Sequence, residues 1–314
     1  MKKKILFLGG TGYLGSHILH ELKDKKYDIV YTGNKNKLEF QNNFTYKKID
    51  LSSKSLKNLL KKFNPDVIIH AASLNLGSSE KKILKSLKVC INPLIDIESY
   101  LKVINKKIKI IYFSTFQVYQ YQKLINENSM INLSKRYAYN HFETEKRFLK
   151  LKEKFKLDLS ILRISNCYGI FLKPKKQFFE PLINKLVLDT LKTRKVVIHS
   201  DGKVEKDYIY ISDLIKFVKV NLLQKNKKYP TIINLGTNIS TSLLNISRII
   251  YKIINKKLKL KVKILVMNLE KRYSKVSYKE NIRFNSKYLK EKKNIKVEKG
   301  IEKLITFLGR NNYY

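Results

Sequence analysis

The stretch FLGGTGYLGSHIL, residues 7–19, constrains the fold of this chain more than any other. The apolar run KILFL at 4–8 ends in glycines at 9, 12 and 15, then passes into residues at helical spacing. A buried strand that turns sharply into a helix is the opening of a parallel βαβ unit, because parallel strands need a crossover. Gly9 permits the tight turn, Gly12 lets backbone approach a bound pyrophosphate, and Gly15 lets helix lie against strand. The helix N-terminus then offers its N–H groups and positive dipole end to the phosphates. In this strand–glycine–helix context the triplet implies dinucleotide binding.

The alternation continues beyond the triplet. DIVYTG (28–33), FTYKKIDL (44–51), PDVIIHAAS (65–73), IKIIYFST (108–115) and LDLSILRIS (157–165) read as strands. SLKNLLKKF, LIDIESYLKVINK and residues 137–155 read as the helices between them. The implied fold is α/β, a doubly wound parallel sheet with helices on both faces. After residue 169 the alternation loosens, so a smaller C-terminal α/β domain is expected from insertions and the tail. The expected division is 1–168, completed by about 207–237, with 169–206 and 238–314 forming the second domain. At 314 residues and 43% hydrophobic, the chain has ample material for such a core.

Formal net charge is +41, which raises nucleic acid as a partner. The charge runs along the whole length, however, and only eight of the 66 basic residues are Arg, the residue suited to base and phosphate forks. Salt-sensitive adhesion to polyanions is expected, and specific nucleic-acid binding is not. No apolar run reaches the ~20 residues of a membrane span, and the apolar part of MKKKILFLGG is too short for a signal peptide. Cys90 and Cys167 lack metal-ligand spacing and read as buried thiols of a cytoplasmic protein.

The GxxGxxG spacing resembles that of extended short-chain dehydrogenase/reductases of the nucleotide-sugar epimerase/dehydratase family. The likeness recurs in order along the chain, in IDLSS, VIIHAAS, CINPL, YFSTFQVY, LRISNCYG, SDGKVEKDYIYISDL, INLGT and KRYSKV. It implies a Rossmann-type fold and a homodimer. It assigns to the cofactor Gly9, Thr11, Gly12, Tyr13, Leu14, Gly15, Asn34, Lys35, Asp50 (at the adenine), Leu51, Ala71 and Ala72 beside His70, Asn92 and His141. It assigns to the nucleoside diphosphate of a sugar substrate Asn166, Lys206 (where the family usually has arginine, with Asp207 next to it) and Arg272. The second strand of NAD binders ends in a carboxylate that holds the ribose 2′-hydroxyl. Here the strand ends in Gly33, Asn34 and Lys35. That favours NADP over NAD, and Gly33→Asp should reverse the preference.

Catalysis in this family pairs a strand hydroxyl with a tyrosine acid/base and a lysine one helical turn later. The lysine lowers the tyrosine pKa and holds the nicotinamide ribose. Thr115 matches the hydroxyl and Tyr137 the acid/base, with Glu145 eight residues on, but the lysine position is His141. An imidazole can donate a hydrogen bond to the ribose, yet its reference pKa of about 6.5 leaves little charge at neutral pH. A rival register, Tyr119 with Lys123, sits in a glutamine-rich stretch ill suited to a helix. Family 4,6-dehydratases carry an Asp-Glu pair after the threonine, and Phe116 and Gln117 stand there instead. The expected activity is an NAD(P)-dependent 4-ketoreductase or 4-epimerase acting on a nucleotide sugar, with reduction favoured. The alternative is a non-catalytic NAD(P)-binding protein that has lost the lysine.

Overall fold

The computed structural model describes residues 2–23, 26–34, 37–38, 44–120, 122, 124–172, 181–224, 229–267, 283–284, 294–311 and 313. In chain order the strands are β1 (Lys3–Leu8), β2 (Tyr27–Gly33), β3 (Thr45–Lys48), β4 (Val67–His70), β5 (Lys109–Thr115), β6 (Leu124–Ile125) and β7 (Asp158–Ile164). They continue with β8 (Asn166–Tyr168), β9 (Lys195–Ile198), β10 (Glu205–Tyr210), β11 (Ile232–Leu235), β12 (Ser240–Ser242), β13 (Lys263–Val266) and β14 (Arg283–Phe284). The helices are α1 (Tyr13–Glu21), α2 (Lys57–Phe63), α3 (Leu76–Lys81), α4 (Ile83–Leu101) and α5 (Arg136–Phe155). After them come α6 (Leu182–Thr193), α7 (Ile211–Phe217), α8 (Leu243–Ile253) and α9 (Val297–Arg310).

The chain divides into two compact units. The first comprises 1–120, 130–164 and 218–233. It carries the seven-stranded sheet of order β11-β7-β5-β4-β1-β2-β3, in which neighbouring strands pair parallel. Central strands of such a sheet are covered on both faces, so they read as unbroken apolar runs. All four residues of β4 are buried, and six of seven in both β5 and β7. Edge strand β3, TYKK, is mostly exposed and carries its lysines where pairing stops. Leu6, Ile68, Ile97, Ile110 and Ile161 lie in one continuous core.

The strand order reverses between β1 and β4. In open α/β sheets, ligands bind at the carboxyl ends of the strands at such a switch point. Gly9, directly after β1, lies there against Ala71 and Ala72, directly after β4.

The second unit comprises 121–129, 165–217 and 234–314. Its sheets are small, β12-β10-β8, β13-β9 and β14-β6. Three-residue strands such as β8 leave too few alternations to read, which is why the pattern loosens after 169. The unit bounds depart from the sequence-derived ranges at 121–129, 165–168, 207–217 and 234–237, all of which fall in the second unit. Helix α3 was not expected, and the length read as one helix near LIDIESYL starts earlier, at Ile83. Cys90 is fully buried and Cys167 only partly. Among the described residues no helix is long and apolar enough to cross a membrane.

Candidate active site

In the first unit the three glycines answer to different demands. Gly9 has φ +84°, and a Cβ there would lie 2.7 Å from the Ala72 backbone. At Gly15 a Cβ would meet the Gly9 carbonyl oxygen, closer than any contact allows. Both are glycine for the sake of the protein's own packing. Gly12 is not: its φ is −76°, and an added Cβ would meet only the Gly9 oxygen, at 3.3 Å. Its missing side chain leaves room for something outside the chain. Gly12 caps α1 without a side-chain hydrogen bond, and no acid stands in the first turn, where Tyr13 and Leu14 begin the helix. The positive dipole end is therefore open to an anion. On these observations the cradle fits a dinucleotide pyrophosphate.

The adenosine end departs from an NAD-type arrangement in one respect. Thr11 is buried, and its Cβ and Cγ2 would lie 2.9 and 2.5 Å from a Cβ on Gly33, with its hydroxyl nearer still. No side chain fits at 33 while Thr11 is in place. Asn34 is exposed, and Lys35 lies outside the described residues. The Asp50 carboxylate accepts from Lys85 Nζ at 2.7 Å, from Ser52 N at 3.0 Å and from Ser52 Oγ at 2.6 Å. The Lys85 ammonium, with the serine bonds, holds its pKa down to about 2. Leu51 is buried, and Asn92 Nδ2 donates to the Ser52 carbonyl at 2.9 Å, bracing that turn from α4. His70 points inward: Nδ1 accepts from Ala72 N at 3.3 Å and Nε2 lies 3.1 Å from the Cys90 carbonyl.

Thr115 ends β5, and its hydroxyl accepts from Gln117 N at 3.2 Å. Tyr137 stands in the first turn of α5. Desolvation pushes its pKa up to about 12, with Cys90 adding to it, while the hydroxyls of Ser73, just beyond β4, and of Thr115 pull it down. His141 follows one turn later, its ring centroid 4.6 Å from that of Tyr137. It is 3% exposed, and burial, seconded by His70, pushes its pKa down to about 3. The sequence leaves His141 partly charged near neutrality; inside the fold it is neutral.

Beside it runs a second buried contact. Residues two apart on a strand and four apart on a helix both advance about 6 Å, so the two elements can meet in step. Tyr112 of β5 faces His141 of α5 at 2.7 Å from hydroxyl to Nδ1, and Ser114 faces Glu145, to which it donates. Glu145 also receives Arg163, with Nη2 at 2.6 Å and Nε at 3.1 Å. The guanidinium lies over the Tyr119 ring at 4.7 Å. Tyr119 itself is extended and buried, which leaves it no helical partner four residues on; Lys123 lies outside the described residues.

In the second unit, Asn166 of β8 and Lys206 of β10 lie on neighbouring strands, and Asn166 Nδ2 donates to the Asp207 carbonyl at 2.9 Å. Burial pushes the Asp207 carboxyl up to about 6, against bonds it accepts from Thr237 N and Oγ1. Arg272 lies outside the described residues.

Sequence reasoning passed over Ser73, Tyr112 and Lys85. Tyr112 alone carried a signal, the matched two-and-four spacing against His141 and Glu145. Among the described residues no group of three or more His, Cys, Asp or Glu is placed to hold a metal.

A glycine cradle at the switch point of a parallel sheet, with Tyr137 and Thr115 on α5 and β5 of the same unit, marks a Rossmann-type fold. Residues 5–236 match the model of the NAD dependent epimerase/dehydratase family, and the chain belongs to that family. It is similar to the dTDP-D-glucose 4,6-dehydratase of Dictyostelium discoideum, 29% identical over 81% of this chain and 62% of that protein. The chain thus spans less than two thirds of that relative's length. In fold it resembles the UDP-glucuronic acid 4-epimerase of Bacillus cereus solved with UDP-glucuronic acid and NAD (TM-score 0.79, 22% identity, 98% of this chain and 99% of that one). It also resembles the UDP-glucose 4-epimerase of Thermotoga maritima solved with UDP-glucose (TM-score 0.78, 20% identity, 98% and 99%).

Proposed function

We propose that the protein is an NAD(P)-dependent nucleotide-sugar oxidoreductase acting at C4 of the sugar, as a 4-ketoreductase rather than a 4-epimerase. The observation that carries this reading is the half-buried Tyr137, whose pKa desolvation pushes up to about 12 against the pull of the Ser73 and Thr115 hydroxyls. A phenol so placed stays protonated across neutrality, so its proton is present for the oxygen that becomes an alkoxide when a carbonyl is reduced, and it serves poorly as a base. Thr115 would polarise the same oxygen, and Asn166, Lys206 and Arg272 would hold the nucleoside diphosphate. Lys206 presents a point charge where an arginine would offer a fork. A bound nicotinamide supplies or accepts the hydride; Gly9, Thr11, Gly12, Gly15, Asp50 and Ala72 would hold that cofactor. Gly33 under Thr11 leaves no carboxylate to repel a 2′-phosphate, which supports NADP. Phe116 and Gln117 cannot titrate, which speaks against elimination even though a dehydratase is among the relatives.

One observation favours the non-catalytic reading, the buried and neutral His141 where a cation is usual. Melting temperature tests the binding that both readings require, and hydride transfer from bound cofactor separates them. NADP together with a UDP- or dTDP-4-keto sugar should raise it by mass action. Gly12→Ala, whose Cβ would meet only the Gly9 oxygen at 3.3 Å, should abolish the cofactor's share. No shift with any nucleotide or nucleotide sugar would contradict both readings.

A further inference from the structure

In a dinucleotide-binding sheet the end of β2 meets the 2′-position of the adenosine ribose, through a carboxylate for NAD and a nearby cation for NADP. Here the last residue of β2 is Gly33, which supplies neither. The neighbouring strand β3 supplies the cation. The two strands pair parallel, with Tyr31 level with Tyr46, Thr32 with Lys47 and Gly33 with Lys48. Residues level on such a pair leave the sheet on one face, and successive residues leave on opposite faces. Two contacts show which face is which. The Tyr31 and Tyr46 rings lie 5.2 Å apart, so both stand on the same side. On that side a Cβ added to Gly33 would run into Thr11 of the glycine turn. Lys48, two residues beyond Tyr46, therefore rises on the face of the cradle, next to Gly33. Lys47 leaves on the other face.

Adjacent strands lie about 4.8 Å apart, a distance that the four-carbon stem of a lysine spans. Gly33 has no side chain to stand in the way. Its backbone is held by the strand that carries the lysine: the Gly33 carbonyl accepts from Tyr46 Oη at 3.1 Å and from Ile49 N at 2.9 Å. Lys48 is exposed and, among the described residues, has no ion-pair partner. Asp50, the next acid along the chain, is already taken by Lys85 and Ser52. We propose that Lys48 is the residue that sets cofactor specificity, its ammonium pairing with the 2′-phosphate of bound NADP. This rests on the cofactor reading above and names the cation for it. A phosphate monoester carries about 1.5–2 negative charges at pH 7, and a mobile point charge such as an ammonium suits it.

Titration of the full chain with NADP and with NAD tests this, at about 0.15 M ionic strength, where the Debye length is about 8 Å and the bulk charge is screened. Lys48→Met should weaken NADP about tenfold and leave NAD within about twofold. Lys47→Met removes the same charge from the opposite face and should move neither. Adenosine 2′,5′-bisphosphate should follow NADP, and ADP should follow NAD, which places the loss at the 2′-phosphate. A Lys48→Met protein in which NADP is unchanged, or in which NADP and NAD weaken alike, overturns this assignment alone. So does a Lys47→Met protein that loses NADP as much as Lys48→Met does. A wild type that binds neither dinucleotide overturns the cofactor reading, and the assignment with it.

Discussion

At Tyr137 and His141 the two groups that would titrate in a family enzyme are both moved out of the working range. One is pushed up to about 12 and the other down to about 3. Tyr137 is then a full proton donor across neutrality, and His141 has no charge to lose. Reductive turnover should accordingly stay level between about pH 5.5 and about pH 9 and disappear in Tyr137→Phe. An inflection near the free histidine value of about 6.5 would show that His141 charges after all, and that its burial is misjudged. At the other end of the cofactor, Thr11 and Gly33 act as one unit. Gly33→Asp alone must displace Thr11 and should weaken both cofactors. Gly33→Asp with Thr11→Gly makes room for the carboxylate and should turn preference from NADP to NAD. A wild type that binds NAD tenfold tighter than NADP in a direct titration, about 1.4 kcal/mol, would refute the NADP assignment.

Strand β5 and helix α5 carry the side chains proposed as catalytic, and the Glu145–Arg163 pair ties α5 to β7. Arg163 is 3% exposed and Glu145 1%. Removing one member of such a pair leaves a buried charge, at a cost of about 3–5 kcal/mol. Arg163→Met should therefore lower stability by that amount in urea unfolding, and adding Glu145→Gln should restore part of it. A loss below about 1 kcal/mol would mean that the pair does not hold the elements. The elements themselves were legible because each announces itself locally. The glycine turn and the apolar runs of β4, β5 and β7 need no knowledge of distant residues. The pairing of Tyr112 with His141, and of Thr11 with Gly33, joins residues 29 and 22 positions apart, and no local pattern encodes which distant side chain will fill a gap. Thr115 and Tyr137, the proposed catalytic pair, were named from motif and spacing, while the protonation of Tyr137 followed only from burial.

Across the whole molecule, acid stability should reveal the buried histidines. His70 is held down to about 4 and His141 to about 3, both chiefly by burial. Each stays neutral in the fold while its unfolded counterpart protonates below about 6.5, so the unfolded state binds more protons there. The stability they leave intact above about pH 6.5 is lost as pH falls toward about 4, at about 1.4 kcal/mol per pH unit for each group. Asp207, raised to about 6 in the second unit, works in the opposite direction between about 6 and its ordinary value. The urea midpoint of the first unit's unfolding should drop between pH 7 and pH 5, and His70→Gln should flatten that drop; an unchanged slope would deny His70 its buried neutral state. The remaining claim concerns what the molecule does. NADPH deuterated at the nicotinamide C4 should be incubated with UDP- and dTDP-4-keto sugars, and the products examined for deuterium at sugar C4. The account predicts label in the product with wild type and none with Tyr137→Phe. Cofactor and sugar both bound, with no label transferred by the wild type or by His141→Lys between about pH 5.5 and about pH 9, would contradict it and leave a binding protein in its place.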